Sequence, residues 1–298
     1  MTGHVPVLTA EILHQLQPGR GGVFVDCTVG LGGHSSALLA AGATRVVGLD
    51  RDLEALGRAR ETLAPWGERV ELVHADYRAI DSVLDGLNLH IIDGALADLG
   101  VSSMQLEAPG RGFSFLRDEP LDMRMDRSGG DTAADLVTRS SERALADAIF
   151  QYGEERFSRR IARAIVDARR ESPIETTGRL AAIVRRAIPR RGFVRIDPAT
   201  RTFQAFRIWV NRELEGLDRF LEAVSRRLRS GARLAVITFH SLEDRIVKHT
   251  FRALEHSDAA AMNVLTKKPI VPADEEVLRN PRARSAKLRA VERVAGPA

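Results

Sequence analysis

Over the first hundred positions, apolar and β-branched residues gather in short runs at residues 23–25, 45–49, 70–73 and 91–97. Between them, residues 35–41 and 52–63 carry apolar positions at helical spacing. Strand and helix in this rhythm predict a doubly wound α/β fold with a parallel sheet, since each parallel pair needs a crossover and a helix supplies it. A fifth strand, at residues 233–239, comes much later, followed by a helix at 242–254, a polar connection at 265–281 and a last edge strand at 287–291. In between, residues 109–130 are rich in Gly, Pro and Asp, and residues 132–188 read as amphipathic helices. The pattern therefore predicts a discontinuous sheet-bearing domain, residues 1–107 and 200–298, interrupted after its fourth strand by a mainly helical insert, residues 108–199. Residues 203–229 place Phe206, Trp209, Val210, Leu214, Leu217 and Leu221 on one face of a helix expected to return the chain to the sheet.

Each of the first four strands runs into an aspartate: Asp26, Asp50, Asp76 and Asp98. Ligands of open α/β sheets bind outside the carboxyl ends of the strands, so these carboxylates are expected to converge on one strongly acidic crevice. Beside the first stands Gly30-Leu31-Gly32-Gly33-His34-Ser35, whose glycines let backbone pass close to a ligand. A glycine turn with an acid twenty residues on, as Asp50 is from Gly30, also suits NAD. NAD brings a pyrophosphate, which Asp26 would repel, and the spacing is G-x-G-G-x-S, not G-x-G-x-x-G. S-adenosylmethionine brings a sulfonium, an ammonium and a ribose but no phosphate, and suits acids at several strand ends. For Asp26 and Asp76 taken singly, a helix N-cap is as good a reading. Tyr77, next to Asp76, is either a core aromatic or a ring flanking an adenine.

Composition narrows the classes. The chain has 298 residues, 44% of them hydrophobic, which suffices for one large domain or two modest ones. Neither a secretory leader nor a long charge-free apolar run is visible, so a soluble cytoplasmic protein that does not cross a membrane is expected. Cys27 is the single cysteine, read as core filling, and His4, His240 and His249 lack metal-ligand spacing, so no metal site is expected. The formal charge is +4, and the basic residues are arginines apart from Lys248, Lys267, Lys268 and Lys287. From Arg156 to Arg201 thirteen arginines face four acids, with contiguous pairs that include Arg185-Arg186 and Arg190-Arg191. Such an imbalance suits a phosphate backbone, with a solvated helix face as the plainer reading.

Several blocks together resemble the RsmH (MraW) family. They include Asp26-Cys27-Thr28-Val29-Gly30-Leu31-Gly32-Gly33-His34-Ser35, residues 98–103, 111–115, 120–125, 152–157 and 200–205, Phe239-His240-Ser241-Leu242-Glu243-Asp244-Arg245, and residues 280–285. The resemblance implies a class I, Rossmann-like, S-adenosylmethionine-dependent methyltransferase acting on the exocyclic N4 of a cytidine in the decoding region of 16S ribosomal RNA, free or within the small ribosomal subunit. It also implies a cofactor site in which Gly32, Gly33 and His34 contact the methionine end, Asp50 the ribose, Tyr77 the adenine environment, and Asp98 with Gln105 the remaining wall. Asp98, at the end of the fourth strand, is the candidate catalytic acceptor of the amine protons. Many amino-group methyltransferases carry two prolines and an aromatic at this point, where this chain reads Asp98-Leu99-Gly100-Val101. An NAD-dependent oxidoreductase and a non-catalytic RNA-binding protein stand as the alternatives.

Overall fold

The computed structural model describes residues 6–189, 197–257 and 261–294. The chain divides into two compact units, one formed by Met1–Gly100 with Leu214–Ala298 and the other by Val101–Glu213.

The first unit is built on seven strands: β1 (Val23–Asp26), β2 (Arg45–Asp50), β3 (Val70–His74), β4 (Ile92–Asp98), β5 (Leu228–Thr238), β6 (Met262–Val264) and β7 (Lys287–Arg293). Their spatial order is β3-β2-β1-β4-β5-β7-β6. The first five are parallel, and β7 runs antiparallel between β5 and β6. The pleat sends alternate residues to opposite faces. Val25, Val47, Ala95 and Val236 pack with Phe220, Leu221 and Phe251 on one side, while Phe24, Val46, Leu96 and Ala235 pack with Ile12, Leu38 and Leu56 on the other. Helices thus cover both faces, which is why the strands read as continuous apolar runs and not as alternating ones. The winding direction reverses between β1 and β4, the point at which open α/β sheets bind ligands outside the strands' carboxyl ends. Gly94 sits where Phe24 of β1 lies over β4, and any Cβ at that position would overlap the ring.

Four local expectations need correction. β7 is not the edge strand expected at residues 287–291, because β6 pairs along its outer side. β5 begins at Leu228, earlier than the apolar run suggests, because Ile92 pairs with Leu228 before a register shift leads to Gly94 and Arg233. The polar connection contains the helix Asp274–Arg279, whose Glu276 accepts from the Leu8 amide at 2.8 Å. The expected single helix at 203–229 is two, Ala199–Asn211 and Leu217–Arg227, separated by left-handed Arg212 and Gly216. Its apolar stripe serves two cores: Phe206, Trp209 and Val210 pack inside the second unit, and Leu217, Phe220 and Leu221 pack under the sheet. The units therefore change over at Gly100 and Glu213, whereas the sequence pattern puts the boundaries at 107 and 200.

The second unit packs Leu145, Ile149, Ile161, Ile165, Leu180 and Phe203 from its helices into one core. Its glycine-rich stretch is pinned by polar contacts: Asn211 accepts from the Met125 amide at 2.7 Å and donates to the Met123 carbonyl at 2.8 Å. No helix among the described residues is long and apolar enough to cross a membrane.

Candidate cofactor site

The loop after β1 is stitched to its neighbours before any side chain is considered. Cys27 N–H donates to the Leu96 carbonyl of β4 at 2.8 Å, and Val29 N–H to the Leu49 carbonyl of β2 at 2.7 Å. Thr28 Oγ1 accepts from the Asp98 amide at 2.6 Å, tying the loop to the end of β4. Asp50 takes the Gly30 amide on Oδ2 at 2.8 Å and the Asp52 amide on Oδ1 at 2.9 Å, tying it to β2. Asp26, only 1% exposed, accepts from the Thr28 amide at 3.2 Å and the Ser35 hydroxyl at 2.8 Å, holding the start of the helix Gly33–Ala40.

The glycines of this loop do different jobs. Gly30 has φ +52 with only its own Thr28 carbonyl near a hypothetical Cβ, so its surroundings are open. Gly32 has φ +84, and a Cβ there would meet Leu63 Cγ at 2.9 Å. At Gly33 a Cβ would overlap Pro6. Gly33 is therefore required by protein packing, whatever else it contacts.

His34 is 6% exposed, with Nε2 3.6 Å from Asp98 Oδ2, an ion-pair distance beyond hydrogen-bond reach. Both of its ring nitrogens and Asp98 Oδ1 have no hydrogen-bond partner among the described residues. Leaving such a group unpaired costs about 1–3 kcal/mol, which makes these three atoms candidates for contact with a ligand. Asp50 keeps spare lone pairs after its two backbone contacts. Burial pushes its carboxyl up to about 6, against the pull of the Asp52 and Gly30 amides. Burial likewise raises Asp26 above the usual carboxylate range, with His34 acting in the opposite sense.

The four strand-end acids do not form the uniformly acidic crevice expected of them. Asp76 caps the short turn Tyr77–Ala79 and is ion-paired to Arg78 at 2.6 Å and Arg51 at 3.4 Å. Burial works to raise it, but the Arg78 hydrogen bonds and the charges of Arg78 and Arg51 outweigh that and hold it low. Asp26 is spent on the scaffold, so Asp50 and Asp98 are the carboxylates left for a ligand. Sequence reasoning misses Thr28, Ser35, Arg51 and Arg78. Arg51 and Arg78 have a usable signal, a cation one or two residues from a strand-end acid, while Thr28 and Ser35 have none.

Tyr77 packs its ring on Phe220 at 4.6 Å between centroids. Gln105 lies in the second unit, where it accepts from the Ser102 amide at 2.9 Å and completes a capping box on Ser103–Glu107. His240 caps the helix Ser241–Glu255, accepting from the Glu243 amide at 3.4 Å. Burial pushes the Cys27 thiol up, as befits core filling. Arg185 is bound to Asp197 at 2.8 Å and lies 5.5 Å over the Phe115 ring, so its charge is already answered. Arg186 is exposed and donates to the Ala182 carbonyl at 3.3 Å. Arg190 and Arg191 lie outside the described residues.

Residues 1–294 match the MraW methylase family. A protein of Nitratidesulfovibrio vulgaris named ribosomal RNA small subunit methyltransferase H is 52% identical, over 99% of this chain and 86% of its own length. One of the same name from Sorangium cellulosum is 52% identical, over 98% and 91%. A third, from a Cyanothece species, is 53% identical, over 98% and 95%. With a match that spans both compact units and relatives that are similar from end to end, the chain belongs to the MraW methylase family.

Proposed function

We propose that the protein transfers a methyl group from S-adenosylmethionine to the exocyclic N4 of a cytidine in the decoding region of 16S ribosomal RNA. The observation that carries this reading is the set of buried, unpartnered atoms on His34 and Asp98, at the switch point of the sheet and two strands from Asp50, in a chain of a methylase family. A dinucleotide fits less well. The Gly30 amide, which a pyrophosphate would need, is already donated to Asp50, and a carboxylate there repels phosphate. A ribosomal substrate places the protein's work in the cytoplasm.

In this reading Asp50 accepts from the ribose hydroxyls, Gly32, Gly33 and His34 line the methionine end, and Tyr77 borders the adenine, while Gln105 stays a candidate on the family resemblance alone. The cofactor supplies an electrophilic methyl group on a sulfonium. The protein must then hold the amine in line, accept its hydrogen bonds and take up the one proton it loses, because the N4 lone pair is delocalised into the ring. Asp98 is the acceptor of that proton, since its Oδ1 has no partner among the described residues and its side chain is 26% exposed. The target base must be unpaired or flipped out to reach it. Arg185, Arg186, Arg190 and Arg191 are the sequence's candidates for the flanking phosphates. Arg159, Arg160 and Arg163 on the helix Ser158–Glu171 are stronger ones, being exposed with no acidic partner among the described residues. The test is methyl transfer by the purified protein to small-subunit RNA or subunits, read by mass spectrometry of the nucleosides. N4-methylcytidine is the expected product, and methylation at the ring carbon or ribose overturns the assignment.

A further inference from the structure

A second concentration of charge lies in the first unit, away from the strand ends. A cavity of about 190 Å³ opens between the helix Ser241–Glu255 and the β6–β7 edge, lined among others by Lys248, Arg252, Lys267 and Arg289 over the buried Phe251 ring. Arg289 is answered by Asp244 at 2.6 Å, and Lys287 by the same carboxylate at 3.4 Å. Lys248, Arg252 and Lys267 have no ion-pair partner among the described residues, and Lys248 is half-buried. The acid of the lining is Glu255, whose Oε1 accepts from the Val264 amide at 3.1 Å. Three uncompensated cations thus face one carboxylate around a concave space.

The choice of cation adds to this. The chain has 44 lysines and arginines, of which four are lysine: Lys248 and Lys267 in the lining, Lys268 next along, and Lys287 on Asp244. A compact ammonium with rotatable donors suits a single phosphate as a point charge, whereas a guanidinium fork suits flat, bidentate contacts. β7 and β6 are two and three strands from β4 in the sheet, or roughly 10–15 Å at normal strand spacing. A phosphate held in the cavity would therefore lie on the same stretch of RNA as a base presented at Asp98.

From this juxtaposition of unpaired Lys248, Arg252 and Lys267 around one cavity, we infer that the β6–β7 edge holds a backbone phosphate of the RNA substrate, as a docking point separate from the second unit. The inference rests on the proposed RNA substrate. The test uses the full chain and a fluorescent single-stranded oligonucleotide of decoding-region sequence, with affinity followed against salt. A Lys248→Gln, Arg252→Gln, Lys267→Gln variant should bind about tenfold more weakly at low salt, with a log–log salt slope shallower by about one. Its cofactor affinity, and its single-turnover rate at saturating RNA, should be those of the wild type. Lys248→Arg with Lys267→Arg should keep the wild-type slope, and Arg20→Gln, an exposed site elsewhere on the unit, should leave it unchanged. An unaltered slope in the triple variant, or an equal change from Arg20→Gln, overturns the site. So does pyrophosphate that binds at the cavity without competing with RNA, since that assigns it to a free anion. Failure of the wild type to bind RNA is seen before any variant is compared, and it overturns the functional reading along with the site.

Discussion

The carboxyl-end crevice and the β6–β7 edge belong to one sheet, yet they handle charge in opposite ways. At the crevice acids predominate, and most of their oxygens are committed: Asp26 to Ser35 and Thr28, Asp76 to Arg51 and Arg78, Asp50 in part to Gly30 and Asp52. At the edge cations predominate, and Asp244 satisfies Arg289 and Lys287 but not Lys248, Arg252 or Lys267. In both places the paired groups form scaffold and the unpaired ones face a space. Residue type alone does not separate these classes, since Asp26 and Asp98 occupy equivalent positions at strand ends. The separation comes from whether burial has been matched by a partner.

The comparison breaks if the acids with lone pairs to spare prove dispensable. The largest effect is expected for Asp98→Asn, which keeps the shape but weakens the acceptor. Single-turnover methylation at saturating cofactor should fall by about a hundredfold or more, with RNA affinity retained. Near-normal turnover would return Asp98 to the role of cofactor wall. Next comes Asp50→Ala, expected to weaken cofactor binding about ten- to a hundredfold in titration calorimetry, as befits hydrogen bonds to a charged group.

Asp50 also predicts a pH dependence. Its carboxyl titrates near 6 in the folded protein, above its ordinary 3.8. The folded state holds that proton longer, so Asp50 contributes most to folding stability below 3.8, and the contribution is lost as pH rises through 6. Ribose hydroxyls donate to the ionised form, so cofactor affinity should run the other way, tightening as pH rises through 6. Asp50→Asn should flatten that profile, and a profile unchanged by the substitution would move the titration to another group.

A third substitution sharpens the distinction between scaffold and site within the glycine loop. Gly33→Ala should lower stability by about 1–3 kcal/mol through overlap with Pro6, measured as a reduced melting temperature. Adding Pro6→Ala should recover most of the loss, which a purely ligand-facing glycine would not allow. The smallest effect concerns the second unit. Replacing Arg159, Arg160 and Arg163 with Gln should flatten the salt dependence of RNA binding by about two, and Arg185→Gln should scarcely alter it, because Asp197 already neutralises that side chain. Equal effects per residue would mean that the Asp197 pair opens on binding.

The strand-helix rhythm made the sheet legible, because strands buried on both faces leave dense apolar runs that turn residues interrupt. β6 escaped notice because it has three residues and draws its pairing from β7, so local composition has little to register. The stripe through Phe206 and Leu221 misled for a related reason. Spacing reports that residues are buried, not in which core, and the break at Arg212 and Gly216 divides them between two. In the site, Asp50 and Asp98 were legible as acids at strand ends. The roles of Thr28 and Ser35 were not, since a hydroxyl that accepts a β4 amide or donates to a buried carboxylate looks like any other in sequence.

The discontinuity of the sheet has a consequence for how the chain acquires its shape. β4 ends at Asp98 and its neighbour β5 starts at Leu228, so the whole stretch 99–227 must be spanned before the two can pair. Closing so long a flexible loop costs about 2 kcal/mol more entropy than closing one of about ten residues. A second unit with its own core can compact first and shorten the effective span, leaving the exposed edge of β4 open for less time. Each unit carries one tryptophan, Trp66 beside Ser36 in the first and Trp209 beside Phe206 in the second. In refolding, fluorescence from Trp209 should therefore settle ahead of closure of the β4–β5 ladder, and the reverse order would show that the sheet closes without help from its insert.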